Sequence, residues 1–317
     1  MYNDLHFRAM NTDVSAWLWN ADANAAQRAL REVERFFHEA HARFTRFETS
    51  SELSALNASA GQPFVASPQM FEVVELAVKL SALTDGWFNP TIIGALEAAG
   101  YDRTFDAIKE SSDRRSEPAS NVSAASAITL DAKRHTMTLP KGTRIDLGGI
   151  AKGWAVQKAA QQLMIHGPCL VDAGGDMMTF GAAPGTADWS IEIADPIDAE
   201  NDVMTLHVRD RAVATSGIDR RRWQRNGLWQ HHLIDPHTGQ PSTSDLLTAT
   251  VIAPTTVEAE VYAKTVFLLG AQAGLEFIDR HPTLAGCVVT AAGQAFISDS
   301  MKEHLHVSFT FSATPHA

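Results

Sequence analysis

Cysteine is scarce in this chain, with two in 317 residues. The pair gives no basis for a disulfide framework. Cys169 lies in the apolar run GPCLVDA and Cys287 in LAGCVVTAA, so both read as small buried hydrophobes rather than nucleophiles. No CxxC spacing occurs, which removes the common zinc patterns. No run of about 18 apolar residues is present, so no membrane-spanning helix is expected. The opening residues, MYNDLHFRAM, lack a basic stretch followed by an apolar core and lack a lipid-attachment cysteine. The sequence as given therefore reads as cytoplasmic. Positive charge is also in deficit: 26 Lys and Arg against 37 Asp and Glu give a formal net charge of -11. That balance argues against non-specific nucleic-acid binding. It leaves open an anionic ligand held in a locally positive pocket. No internal repeat is visible.

What is present is ordinary for a folded enzyme. Hydrophobic residues make up 45% and charged residues 20%, enough for a sizeable core. Length suggests one domain over 1–317, or two closely packed subdomains within it. Alternation over residues 5–20 reads as a strand. A helix over 22–45 follows, with Ala26, Leu30, Val33, Phe36 or Phe37, Ala40 and Phe44 at helical spacing. Ser51 is a candidate cap. Ser67-Pro68 opens a helix over 68–84, carrying Phe71, Val74, Val78 and Leu83, which stops at Asp85-Gly86. Residues 109–127 are polar and charged and read as an exposed insertion. A hairpin turning at Asp131–Arg134 comes next. Strands are expected at CLVDAGGDMMTFG, 189–194, 203–215, 248–253, 286–291, 294–298 and 304–311, with helices at 257–270 and 272–280. Strands outnumber helices and many pair locally. The fold class is α+β, mixed and mostly antiparallel, with packed helices.

The most informative run is Asp146-Leu-Gly-Gly-Ile-Ala-Lys-Gly153. It follows an extended segment, TMTLPKGTRI, and opens a helix. Glycines allow close backbone approach, the first N–H groups of a helix point at a ligand, and Lys152 adds full positive charge, so the run suits a phosphate. The alternative reading is a tight turn with a surface lysine. Four further segments carry candidate chemistry. VDAGGDMMTFG (171–181) is a second Gly-rich turn flanked by Asp172 and Asp176. VATSGIDRRRW (213–223) sets Ser216-Gly217 before three arginines. HHLIDPHTGQPS (231–242) holds His231 and His232. VEAEVYAKTVFLLG (257–270) puts Glu260 and Lys264 one helical turn apart in a largely apolar helix. A surface i,i+4 pair is worth a few tenths of a kcal/mol. Buried charges instead need a partner or a task.

Taken together, these segments resemble the FAD:protein FMN transferase family, also called the ApbE or flavin transferase family. The likeness runs from FRAMNTDV through RFETSSELSALN, DGWFNPT, DLGGIAKGWAVQKA, VDAGGD, ATSG and HHLIDPHTGQP to AEVYAKTVFLLG. The resemblance implies a fold and a reaction. FAD is bound, its pyrophosphate is cleaved, and FMN passes to a Thr or Ser hydroxyl of an acceptor flavoprotein with release of AMP, assisted by a divalent cation, usually magnesium. It also implies residue roles. Met10, Phe47, Trp87, Phe88, Asn89, Asp146, Lys152, Ile234 and Ala263 match cofactor contacts. The Gly149 carbonyl matches a metal ligand, and His232 matches the base that takes the acceptor proton.

The departures from the family pattern are specific. The family's late helix reads Asp-x-x-x-Thr and holds magnesium with both side chains. Here the spacing gives Glu260 and Lys264. Glutamate can ligate, whereas a protonated lysine has three donors and no acceptor. Lys264 is thereby expected in a catalytic position, with its ammonium in the metal's place. SGIDRRRW replaces Ser-Gly-Asp-Tyr and adds positive charge. Asn11 stands where glycine is usual, a position that asparagine tolerates. From the same site, two alternative functions are an FAD pyrophosphatase yielding FMN and AMP, and a non-catalytic FAD-binding protein.

Overall fold

The computed structural model describes residues 1–109, 122–198, 200–219, 222–225 and 227–305. The chain opens with β1 (Tyr2–Ala9) and β2 (Thr12–Trp19), an antiparallel pair. The expected single strand over 5–20 is thus a hairpin. Met10 and Asn11 sit at φ 50° and 58°, the left-handed conformation that a two-residue hairpin turn demands. Helix α1 (Ala23–Phe44) is capped by the Asp22 side chain, and α2 (Glu52–Ala58) by Ser51. After β3 (Phe64–Val65), α3 (Pro68–Leu83) is capped by Ser67. Asp85 and Gly86 follow it with positive φ. Phe71 and Val74 of α3 are buried, but Leu83, in its last turn, is exposed.

Short helices α4 (Ile93–Ala98) and α5 (Phe105–Lys109) precede most of the expected insertion, whose residues 110–121 lie outside the described residues. Strands β4 (Thr129–Asp131) and β5 (Thr136–Thr138) form the expected hairpin. The segment between β5 and the Gly-rich run is irregular, not the extended strand read from sequence; it leads directly into α6 (Ala151–Met164). CLVDAGGDMMTFG is also a hairpin, β6 (Cys169–Ala173) and β7 (Asp176–Phe180), turning at Gly174 and Gly175. Then come β8 (Trp189–Ala194), β9 (Asp202–Val208), β10 (Ala212–Gly217), β11 (Arg222–Arg225), β12 (Leu228–His231), β13 (Ile234–Asp235), β14 (Gln240–Pro241) and β15 (Leu246–Ala253). Helices α7 (Thr256–Leu269) and α8 (Ala271–Asp279) lead to β16 (Ala285–Thr290) and β17 (Ala295–Ile297). Residues 299–304, expected in part as a strand, form a 3-10 turn; 306–311 of that strand lie outside the described residues.

Eight strands build one sheet in the order β1-β2-β6-β7-β10-β15-β16-β17, antiparallel throughout. This is the mixed α+β architecture the sequence implied. Alternation divides each strand between two faces. Cys169 and Val171 of β6 join the main core under α1, α6 and α7, whereas Leu170 joins a second cluster beneath the β8–β9 hairpin. Both sheet faces are therefore covered. Cys169 and Cys287 are free and buried, and burial pushes each thiol up to about 12. Neither is a nucleophile at neutral pH. No described helix is long and apolar enough to cross a membrane.

Two hairpin turns meet at one end of this sheet and form part of the site. Gly174 has φ 62°, donates its N–H to the Asp13 carbonyl at 3.1 Å, and has no room for a side chain: a Cβ there would lie 2.1 Å from Thr12 Oγ1. Gly174→Ala is expected to destabilise the fold by about 2–3 kcal/mol through backbone strain and overpacking. Urea midpoints of the variant and the parent check this.

Candidate active site

A cavity of about 570 Å³ opens where these turns, the start of α6 and one face of α7 converge. It is of the size that holds a cofactor. Met10, Phe47, Trp87, Phe88, Asn89, Asp146, Gly149, Lys152, His232, Ile234, Glu260 and Lys264 line it. Ala263, the other residue expected to touch the cofactor, is fully buried within α7 and is not part of the lining.

One wall is aromatic and cationic. Arg46 stacks over the Phe47 ring at 4.3 Å and the Tyr101 ring at 5.0 Å. Its Nε lies 2.8 Å from Asp146 Oδ2, with 5% of its side chain exposed. Asp146 is locked further because its Oδ1 accepts from the Gly148 N–H at 2.8 Å. Sequence reasoning singled out Phe47 and Asp146 but missed Arg46 and Tyr101; the position of Arg46 beside Phe47 was the available signal. Across the cavity, Trp87 meets His237 edge-on at 4.5 Å. The Asn89 side chain is committed to the loop, bonding to Ser123 O and Thr91 N. Met10, held in the left-handed turn, donates its N–H to His41 Nδ1 at 2.9 Å.

The second wall is a cluster of charges on opposed helices. Lys152, in the first turn of α6, pairs with Asp176 and donates to the Ala173 carbonyl at 3.0 Å. Glu260, 5% exposed on α7, accepts from the Gly153 N–H at 2.8 Å. Gly153 permits this crossing, since a Cβ would lie 2.7 Å from the Thr256 carbonyl. Lys264 Nζ reaches the Gly149 carbonyl at 3.4 Å. Burial and the neighbouring Asp176 carboxylate push the Glu260 carboxyl up to about 7, while Lys152 and Lys264 pull it down. Burial pushes Lys264 down from the usual ammonium range, and Glu260 and Asp176 oppose that.

This geometry narrows one sequence inference, because two N–H groups at the start of α6 have partners within the protein. The N–H groups at the start of α6 were expected to point at a phosphate. The Ala151 N–H bonds the Leu147 carbonyl at 2.8 Å, and that of Gly153 is taken by Glu260. Full positive charge in the cavity lining comes from Arg46, Lys152 and Lys264. The fit to a divalent ion is also poor. The Gly149 carbonyl is engaged by an ammonium, and the Glu260 and Asp176 carboxylates are balanced by Lys152 and Lys264. A cation about 4 Å from Lys264 would meet a repulsion of about 4 kcal/mol per unit of its charge at an effective dielectric of about 20. Among the described residues, no group of three His, Cys, Asp or Glu side chains is arranged to hold a metal.

The two adjacent histidines have different surroundings. His231 is buried, with Nε2 3.0 Å from the Ser242 carbonyl and Nδ1 accepting from Leu233 N–H at 3.3 Å. His232 faces the cavity. Burial holds the His231 imidazole below its usual 6.5. The folded chain therefore binds that proton less readily than the unfolded chain. This contribution to stability is present above about 6.5 and is lost as the pH falls through the lower folded value. The stability difference between the parent and His231→Gln is expected to shrink between about pH 7.5 and pH 5. Denaturant midpoints at each pH check it, and a difference independent of pH contradicts it. Of the arginines after Ser216-Gly217, Arg220 and Arg221 lie outside the described residues, and Arg222 stacks on Trp229 at 4.9 Å.

Comparison with known proteins identifies the family and the fold. The model of the ApbE family matches residues 10–288. A FAD:protein FMN transferase of Treponema pallidum (strain Nichols) is 30% identical over 272 residues, covering 80% of this chain and 75% of the relative. The fold of the ApbE protein of Thermotoga maritima superposes with a TM-score of 0.87 at 23% identity, covering 97% of this chain and all of the other. The flavinyl transferase ApbE of Pseudomonas stutzeri, in its apo form, gives 0.83 at 22% identity over 97% and 98% of the two chains. A family match over residues 10–288 of 317, with a relative 30% identical over 80% of the chain, leads to one conclusion: the chain belongs to the ApbE family.

Proposed function

We propose that this protein transfers the FMN moiety of FAD to a Thr or Ser hydroxyl of an acceptor flavoprotein and releases AMP. The observation that carries this reading is the pairing, in one cavity, of an aromatic wall with two lysines on facing helices. A dinucleotide needs both: flat apolar surface for its rings and positive charge for its pyrophosphate.

In this reading Met10, Phe47, Trp87 and Ile234 pack against the rings. Arg46 holds Asp146 where it can accept from the ligand. Lys152 and Lys264 face the pyrophosphate and stabilise the charge that builds as the bridging bond breaks. The acceptor hydroxyl oxygen forms a new bond to the FMN phosphorus. The bond from that phosphorus to the bridging oxygen breaks, and its electron pair leaves with AMP. The hydroxyl proton passes to the His232 imidazole, which lines the cavity. Ala263 supports the helix that carries Glu260 and Lys264 rather than touching FAD. The lysines, rather than magnesium, meet the phosphates in this reading, because the Gly149 carbonyl and Glu260 are already engaged.

The test is an incubation with FAD, with and without an acceptor flavoprotein, read as AMP release and as covalent flavin fluorescence on a denaturing gel. Both signals are expected together. AMP without labelling supports hydrolysis, and FAD binding with neither signal supports a storage protein; each outcome contradicts the transferase reading.

A further inference from the structure

We infer that Lys264 is a built-in cation: its ammonium does the work of a divalent metal, and this protein handles the FAD pyrophosphate with no metal bound. The inference rests on the FAD reading of the cavity. It adds that the positive charge is carried by a side chain of the protein rather than by a bound ion.

Four observations carry it. Lys264 does not reach outward to solvent from a helix surface. Its neighbours Val261, Ala263, Val266 and Phe267 are at most 1% exposed, so the helix is embedded and the lysine extends into the cavity. Its Nζ sits on the Gly149 carbonyl, an oxygen that a hard cation would otherwise take. Position 149 must be glycine for that approach, because a Cβ there would lie 2.6 Å from Nζ. Finally, the charges balance without a metal. Lys152 is matched by Asp176, and Lys264 has Glu260 one turn away on the same helix. A divalent ion would have to displace the Lys264 ammonium from the Gly149 carbonyl and sit beside two ammonium groups. The pyrophosphate supplies negative charge of its own, and the two lysines are placed to meet it.

The decisive experiment measures FAD affinity and AMP release on metal-stripped protein in excess EDTA, then after adding magnesium chloride. Metal content is checked by mass spectrometry. Affinity and rate are expected to change by less than about twofold between the two conditions, against the roughly tenfold or greater loss that follows removal of a charged contact. Affinity or rate that vanishes with chelator and returns with magnesium overturns the inference while leaving the FAD reading intact. A protein with no FAD affinity under either condition overturns both.

Lys264→Thr supplies the converse. The hydroxyl removes the ammonium and restores an oxygen donor beside Glu260 and the Gly149 carbonyl. In EDTA this variant is expected to bind FAD at least about tenfold more weakly, and magnesium is expected to recover part of the loss. Lys264→Arg, which keeps the charge, is expected to stay insensitive to magnesium. Circular dichroism confirms that each variant is folded before it is compared. A Lys264→Thr protein that binds FAD like the parent in EDTA contradicts the assignment.

Discussion

His232→Ala is expected to slow flavin transfer by about 10²–10⁴-fold, the usual contribution of a positioned general base. Its FAD affinity is expected to stay within about twofold of the parent, because the phosphate contacts are assigned to Lys152 and Lys264. The separation of binding from rate follows from local geometry. His231, the preceding residue, is fastened by Ser242 O and Leu233 N. That anchor fixes the chain as it leaves β12 and presents His232 to the cavity. A loss in affinity equal to the loss in rate would show that His232 binds FAD instead of moving the proton. Full-rate transfer by the variant would remove histidine from the chemistry. Single-turnover labelling of the acceptor at saturating FAD separates these results.

Lys152→Ala is expected to act on both stability and binding. Asp176 is 2% exposed and pairs with Lys152. Removing the ammonium strands a buried carboxylate, at a cost of about 3–5 kcal/mol. It also removes a charged contact to the pyrophosphate, worth about 1.5–3 kcal/mol, or roughly tenfold to more than a hundredfold in FAD affinity. A second change distinguishes the two effects. In Lys152→Met/Asp176→Asn the buried charge is gone, so most of the stability is expected to return while the affinity stays low. Recovery of both would make Lys152 a structural residue only. Thermal unfolding and FAD fluorescence quenching supply the two readouts.

Much of the fold was legible because strong local signals agreed with tertiary need. Ser51 and Ser67 cap the helices they were expected to cap. The apolar spacing of α1 put Leu30, Val33 and Phe37 in the core. The β1–β2 hairpin was hidden because its turn, Met10-Asn11, contains no glycine, and alternation continues across it. The irregular run after β5 was read as a strand because its alternation, in TMTLPKGTRI, mimics one. Its order depends instead on distant partners: Asn57 bonds Ile145 on both backbone groups.

The same division holds at the cavity. Segments with glycines or unusual charge, such as 146–153 and 257–270, stood out in the sequence. Pairings across the fold did not. Nothing local couples Lys152 to Asp176, Arg46 to Asp146, or Glu260 to the Gly153 N–H. Those contacts exist because α6, α7 and the β6–β7 turn converge, and they change the chemistry. They occupy the Gly153 N–H and set Arg46, Lys152 and Lys264 in the cavity wall.

A crystal structure of the protein with FAD and magnesium tests this account most directly. It predicts the pyrophosphate between the ammonium groups of Lys152 and Lys264, the flavin or adenine ring against Arg46 and Phe47, and Lys264 Nζ still on the Gly149 carbonyl. Flavin bound elsewhere on the molecule, or a metal ion seated on Gly149 and Glu260 with Lys264 displaced, would contradict it.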